Sequence, residues 1–126
     1  MVNNYEIRPF EIINNKTYRF YEASVNGRYL FEEFCDGLKD EVRDKKKLAN
    51  IYAYMDMLGP QIMLPKTKFR FIGDKKMPNL FEFKKDDIRV YVIKQAPSVY
   101  IVLGGYKGRQ DLDIERVKNL FKDFKL

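Results

Sequence analysis

Histidine is absent from this 126-residue chain, and cysteine occurs once, at Cys35. A lone thiol forms no internal disulfide, and without an imidazole there is no zinc site and no Cys/His or Ser/His catalytic pair to build. Such scarce cysteine fits a reducing cytoplasm. Glycine (7) and proline (5) are also few, which with a hydrophobic content of 45% argues against disorder. No apolar run approaches transmembrane length, and the polar N-terminus has no signal-peptide core, so no membrane association is expected. No metal or other cofactor is expected either.

What the chain does have is positive charge, unevenly spread. Residues 1–65 carry 9 Lys and Arg against 10 Asp and Glu, whereas residues 66–126 carry 15 against 8. The local balances are therefore −1 and +7, which sum to the net +6 of the chain. Concentrated basic charge favours a phosphate backbone or an acidic protein as partner, although a merely solvated basic surface has the same composition.

At this length a single domain is expected over residues 1–126. Tyr5–Ile13, interrupted by Pro9, and Lys16–Ala23 form a candidate hairpin turning at Asn14-Asn15, with Pro9 confining the first strand to an edge. Asn26-Gly27 is a turn signal. Phe31, Phe34, Cys35, Leu38 and Val42 then recur at helical spacing, which predicts a helix over about Tyr29–Asp44 weakened by Gly37. Leu48, Ile51, Tyr52, Met55 and Leu58 make a second stripe stopped by Gly59-Pro60. Lys45-Lys46-Lys47 reads as a solvated helix start or loop, and Pro65–Met77 as a basic connector.

The C-terminal half reads as a meander of three strands. Leu80-Phe81-Glu82-Phe83 is followed by a turn at Asp86-Asp87 and then Ile88-Arg89-Val90-Tyr91-Val92-Ile93. After Ala96-Pro97-Ser98 comes Val99–Lys107. A last helix, capped by Asp111 or Asp113, presents Ile114, Val117, Leu120, Phe121 and Phe124 on one face. The expected fold is α+β: two helices and a final helix packed on a twisted, mainly antiparallel sheet.

The candidate site residues are charged groups set amid apolar strands. Arg89 points opposite to Ile88 and Val90, and lies on an open concave face if helices cover only the other one. There it either offers its planar fork to a phosphate or pairs across strands with Glu82 or a nearby aspartate, the commoner case. Glu82, between two phenylalanines, is either a general base or the group that holds Arg89, the latter being the simpler reading. Lys107 and Arg109 follow Gly104-Gly105-Tyr106, where small residues permit close approach and Tyr106 offers a stacking ring. An ordinary loop before a helix has a similar composition.

Element order and several strings resemble the RelE/ParE toxin superfamily, specifically its HigB-like, phage-derived branch. The resemblance covers about residues 16–124 and leaves residues 1–15 as an extension without an assigned role. It rests on Tyr18-Arg19-Phe20-Tyr21-Glu22 with Asn26-Gly27-Arg28 and Phe31-Glu32-Glu33-Phe34, and on Leu58-Gly59 followed by Pro65-Lys66. Leu80–Phe83 with Ile88–Tyr91, a Glu-bearing strand before an Arg-bearing one, and Val102–Lys107 complete it. The resemblance implies a toxin neutralised by a cognate helix-turn-helix antitoxin. It also implies ribosome-dependent mRNA cleavage, with the ribose 2′-hydroxyl directed at the adjacent phosphodiester. In that role Arg89 binds phosphate and Lys107, with Arg109, supplies the basic exit of the third strand.

The chain departs from the family pattern in three places. The histidines used by some relatives are missing, the paired lysines of familiar RelE members fall near Leu80 and Glu82 and are absent from that strand, and no tyrosine follows Arg109. Tyr91 or Tyr106 is left to substitute, and Lys84 and Lys85 to supply cations from the adjacent turn. The alternative function is a non-catalytic binding module on the same scaffold, either a gyrase-type inhibitor or a degenerate regulatory toxin.

Overall fold

A computed structural model describes residues 2–60 and 63–125 of the chain. The strands are β1 (Tyr5–Pro9), β2 (Arg19–Val25), β3 (Phe69–Phe71), β4 (Leu80–Lys85), β5 (Ile88–Gln95) and β6 (Ser98–Tyr106). The helices are α1 (Leu30–Asp36), α2 (Glu41–Met57) and α3 (Gln110–Phe121), the last entered through a 3₁₀ turn at Lys107–Arg109. The architecture is α+β, with one mixed six-stranded sheet ordered β1-β2-β6-β5-β4-β3. β2 runs parallel to β6 and the other neighbours pair antiparallel. The parallel pair is possible because the helices and the meander lie between those strands in the chain, a connection far longer than a hairpin.

β1 is an edge strand, as Pro9 at its end predicts. Its link to β2 is longer than a tight turn at Asn14-Asn15. Asn15 instead locks the end of α2: its Nδ2 donates to the carbonyls of Met55 and Leu58 at 2.9 and 2.7 Å. Its Oδ1 accepts from the backbone N–H groups of Thr17 and Tyr18 at 2.7 and 2.9 Å. A helix C-terminus leaves carbonyls without partners, and this side chain supplies donors for them. The expected stop therefore falls at Leu58, one residue before Gly59.

The predicted helix over Tyr29–Asp44 is in fact two. α1 ends at Gly37, and Asp40 starts α2 by accepting from the Arg43 N–H at 3.1 Å. That cap resets the helical phase, so Val42, placed by spacing on the apolar stripe, lies 67% exposed. Lys45, Lys46 and Lys47 fall inside α2 rather than at its start. The connector Pro65–Met77 contains β3, which pairs Phe69 with Phe83 and Arg70 with Glu82. The final helix is capped by neither aspartate: Arg109 holds the N-cap position without a side-chain bond. Asp111 and Asp113 occupy the first turn, where negative charge complements the helix dipole.

Helices cover both faces of the sheet. On one face Phe31 of α1 and Leu48, Ile51 and Met55 of α2 pack on Phe83, Ile88, Val90, Val92 and Ile101. On the other, Val117 and Phe121 of α3, with Phe124 just beyond it, pack on Leu80, Tyr91, Ile93, Tyr100 and Leu103. Burying one such large apolar side chain contributes about 1.5–3 kcal/mol. β5 is buried on both sides from Ile88 to Ile93, which is why it reads as a nearly unbroken apolar run. Among the described residues no helix is long and apolar enough to cross a membrane.

Candidate site beneath the start of helix α3

The β4–β5 hairpin turns at Asp86-Asp87, with Asp86 at φ 53°. Its register sets Lys84 opposite Arg89 and Glu82 opposite Tyr91. Strand alternation sends these side chains to the face that carries α3, while Phe83 and Val90 go to the α2 face. The expectation of an open concave face at Arg89 is thereby corrected. An amphipathic pattern marks α3 as a packing helix but not which sheet face it covers.

Glu82 is fully buried. Its Oε2 accepts from Arg70 Nε at 2.9 Å and lies 2.7 Å from Arg70 Nη2, and its Oε1 accepts from Gln110 Nε2 at 2.7 Å. Its ion-pair partner is thus Arg70, directly across from it on β3, and not Arg89. A buried carboxylate with both oxygens engaged is suited to holding charge in place, and less to shuttling a proton.

Arg89 is 7% exposed. Its Nη1 donates to the carbonyls of Asp86 and Ile88 at 2.7 and 3.0 Å, which bends the guanidinium back over the hairpin turn. Its buried Nε has no partner. Tyr91 is fully buried and its hydroxyl also lacks a partner, so its ring has no face open to a base. Burial, reinforced by the charges of Asp113 and Glu82, pushes its hydroxyl well above the ordinary tyrosine range.

Asp113 is buried against Gly105, so closely that a β-carbon there would overlap its Oδ2. Glycine is required here for close approach, as its place at a strand end suggests. Burial pushes the Asp113 carboxyl up, and Arg109 and Arg116 offset this only in part. Lys84 is half-buried, and burial lowers its ammonium pKa below the ordinary value. The positive charges of Arg70, Arg89 and Lys107 lower it further, against the opposing pull of Glu82.

Lys107 and Arg109 are exposed on the 3₁₀ turn, and the Lys107 N–H is tied to the Asp87 carbonyl at 2.7 Å. Tyr106 and Lys85 do not join the cluster, because alternation turns them toward the helices of the opposite face. There the Tyr106 hydroxyl donates to Asp44 Oδ2 at 2.6 Å and accepts from the Lys39 N–H at 2.8 Å.

The fold therefore gathers Glu82, Lys84, Arg89 and Tyr91, with Lys107 near enough to act on Lys84, and leaves Lys85 and Tyr106 elsewhere. It adds Arg70, Gln110 and Asp113. The string Phe69-Arg70-Phe71 alternates but is too short to mark a strand for the first of these, and nothing local marked Gln110. Among the described residues no group of three or more acidic or cysteine side chains is placed to hold a metal ion.

No protein-family model, no curated protein and no solved structure matches the chain.

Proposed function

We propose that this chain is the toxin of a toxin–antitoxin pair, a HigB-like member of the RelE/ParE superfamily that cleaves mRNA on the ribosome. The observation that carries this reading is a cluster of basic side chains, with Arg70, Arg89 and Lys107 close enough to act on Lys84 and Arg70 held by the buried carboxylate of Glu82. Cleavage through a ribose 2′-hydroxyl needs a group to take the proton and cations to offset phosphate charge. Lys84 is the basic group of the cluster whose acidity is altered: burial and the cations beside it lower its ammonium pKa, the direction a proton-accepting lysine needs. Exposed Lys107 and Arg109 meet the phosphates. Arg89 acts from behind as a fixed positive charge, and Glu82 positions Arg70 and Gln110.

The order of strand, two helices and a Glu-then-Arg meander supports the RelE-like assignment. In this reading the protein works in the cytoplasm, and an acidic segment of a helix-turn-helix antitoxin covers the basic rim. One observation favours the non-catalytic alternative, a gyrase-type inhibitor or regulatory binding module: Glu82 and the Tyr91 hydroxyl are both sealed from solvent. Induction of the chain alone in a bacterial host separates the two. Growth arrest with truncated mRNAs supports cleavage, and arrest with intact mRNAs supports the binding module.

A further inference from the structure

On the sheet face opposite the candidate site, beyond the part covered by α2, aromatic rings run in a row across neighbouring elements. Phe71 on β3, half exposed, meets Phe81 on β4 edge-on at 5.4 Å between ring centroids. Phe69 stacks on the same Phe81 at 4.9 Å and 5°. Lys94 on β5 places its ammonium 5.6 Å from the Phe81 ring centre and 5.2 Å from that of Tyr18. Lys68, next to β3, lies 5.0 Å from the ring centre of Tyr54. Among the described residues neither Lys68 nor Lys94 belongs to an ion pair. Their charges rest on rings alone.

We infer that this row is a stacking platform for single-stranded RNA, with Phe71 as the ring that receives a base and Lys94 and Lys68 as its phosphate contacts. The inference rests on RNA being the ligand of the proposed function, and it concerns a second surface, away from Lys84 and Arg89. Three features of the row point to this occupant. A base stacks on an aromatic face whatever its identity, so a ring left open on a sheet edge offers a sequence-tolerant contact. Ammonium groups without carboxylate partners are free to neutralise the phosphates of a strand laid along the row. The +7 balance of residues 66–126, which hold Phe71, Phe81, Lys68 and Lys94, supplies the long-range attraction. An apolar protein partner would match the rings but not the unpaired lysines beside them.

The test uses the whole chain and fluorescence anisotropy with two labelled strands of equal length, oligouridylate and an abasic ribose-phosphate strand. The wild-type chain should bind oligouridylate about tenfold more tightly or better, the range expected for loss of one stacked base. Phe71→Leu, which keeps apolar bulk at the edge but removes the ring, should erase that preference, and Phe71→Tyr should keep it. Lys94→Gln should weaken both strands alike and lower the salt dependence by about one phosphate contact. Equal wild-type affinity for the two strands overturns the platform. So does a Phe71→Leu chain that retains the preference, or tighter binding of polyglutamate than of oligouridylate, which assigns the surface to an acidic protein. A chain that passes the ring test but leaves ribosome-bound mRNA intact refutes the proposed cleavage and keeps the platform. One that cleaves mRNA but fails the ring test refutes the platform alone.

Discussion

Arg70 and Glu82 face each other across β3 and β4, with Arg70 Nη2 2.7 Å from Glu82 Oε2. The three-residue edge strand β3 thus supplies the counter-charge for the most deeply buried carboxylate of the sheet. Removing one member of a buried pair strands the other, which costs more than the pair itself contributes. Arg70 is partly exposed, so water moderates the loss. Arg70→Ala should destabilise the chain by about 2–3 kcal/mol in urea unfolding. The double variant Arg70→Leu/Glu82→Leu should recover most of this. A single variant indistinguishable from wild type would show that Glu82 does not depend on Arg70.

Close packing at the end of β6 leads to a second expectation. A methyl group at Gly105 has no space beside Asp113, and one at Gly104 meets the ring of Phe34. Overpacking of this kind costs roughly 1–3 kcal/mol. Gly105→Ala should therefore lower the unfolding midpoint, and Asp113→Ala in the same chain should restore part of the loss. Gly104→Ala should not respond to Asp113→Ala, because its obstacle lies on the opposite face.

Asp113 also gives stability a pH dependence of definite sign. Burial raises its carboxyl above the ordinary value of 3.8, so the folded chain binds that proton more tightly than the unfolded chain. Its contribution is fully present below 3.8 and is lost as pH rises through the higher folded value. Asp113→Asn should remove this decline, and the difference between variant and wild type should grow as pH rises from about 4 through the raised folded value. A difference that does not change over that range would contradict the burial of an incompletely compensated charge.

Tyr106 is expected to matter for the fold and not for cleavage. Its hydroxyl joins Asp44 of α2 and the backbone of Lys39 to the end of β6. Tyr106→Phe should cost about 1–2 kcal/mol, the loss for a bond to a buried charged partner, and leave mRNA cleavage unchanged. A large fall in cleavage rate with the fold intact would return Tyr106 to the site.

Much of the meander was legible in the sequence. Strand alternation and the Asp86-Asp87 turn determine the register, and register alone brings Glu82, Lys84, Arg89 and Tyr91 to one face. The apolar face of α3 was equally plain, with Val117, Phe121 and Phe124 buried along it. What periodicity could not reveal is which side of the sheet α3 would take. That choice turned an exposed Arg89 into a buried one, so Arg89→Ala should cost stability as well as charge. β3 escaped notice because Phe69-Arg70-Phe71 is too short to establish a period among the surrounding lysines. The break after α1 was hidden because Asp40 restarts the helix only a few residues beyond Gly37, and the two apolar stripes run together in the sequence.

The most direct measurement is mRNA cleavage by purified chain with and without ribosomes, compared with Lys84→Met. If Lys84 moves the proton and the ribosome positions the message, mRNA is cut only on ribosomes, and Lys84→Met slows the cut about a hundredfold or more while the fold persists. Intact mRNA on ribosomes, equal rates with Lys84→Met, or efficient cutting of naked RNA would contradict ribosome-dependent cleavage centred on Lys84.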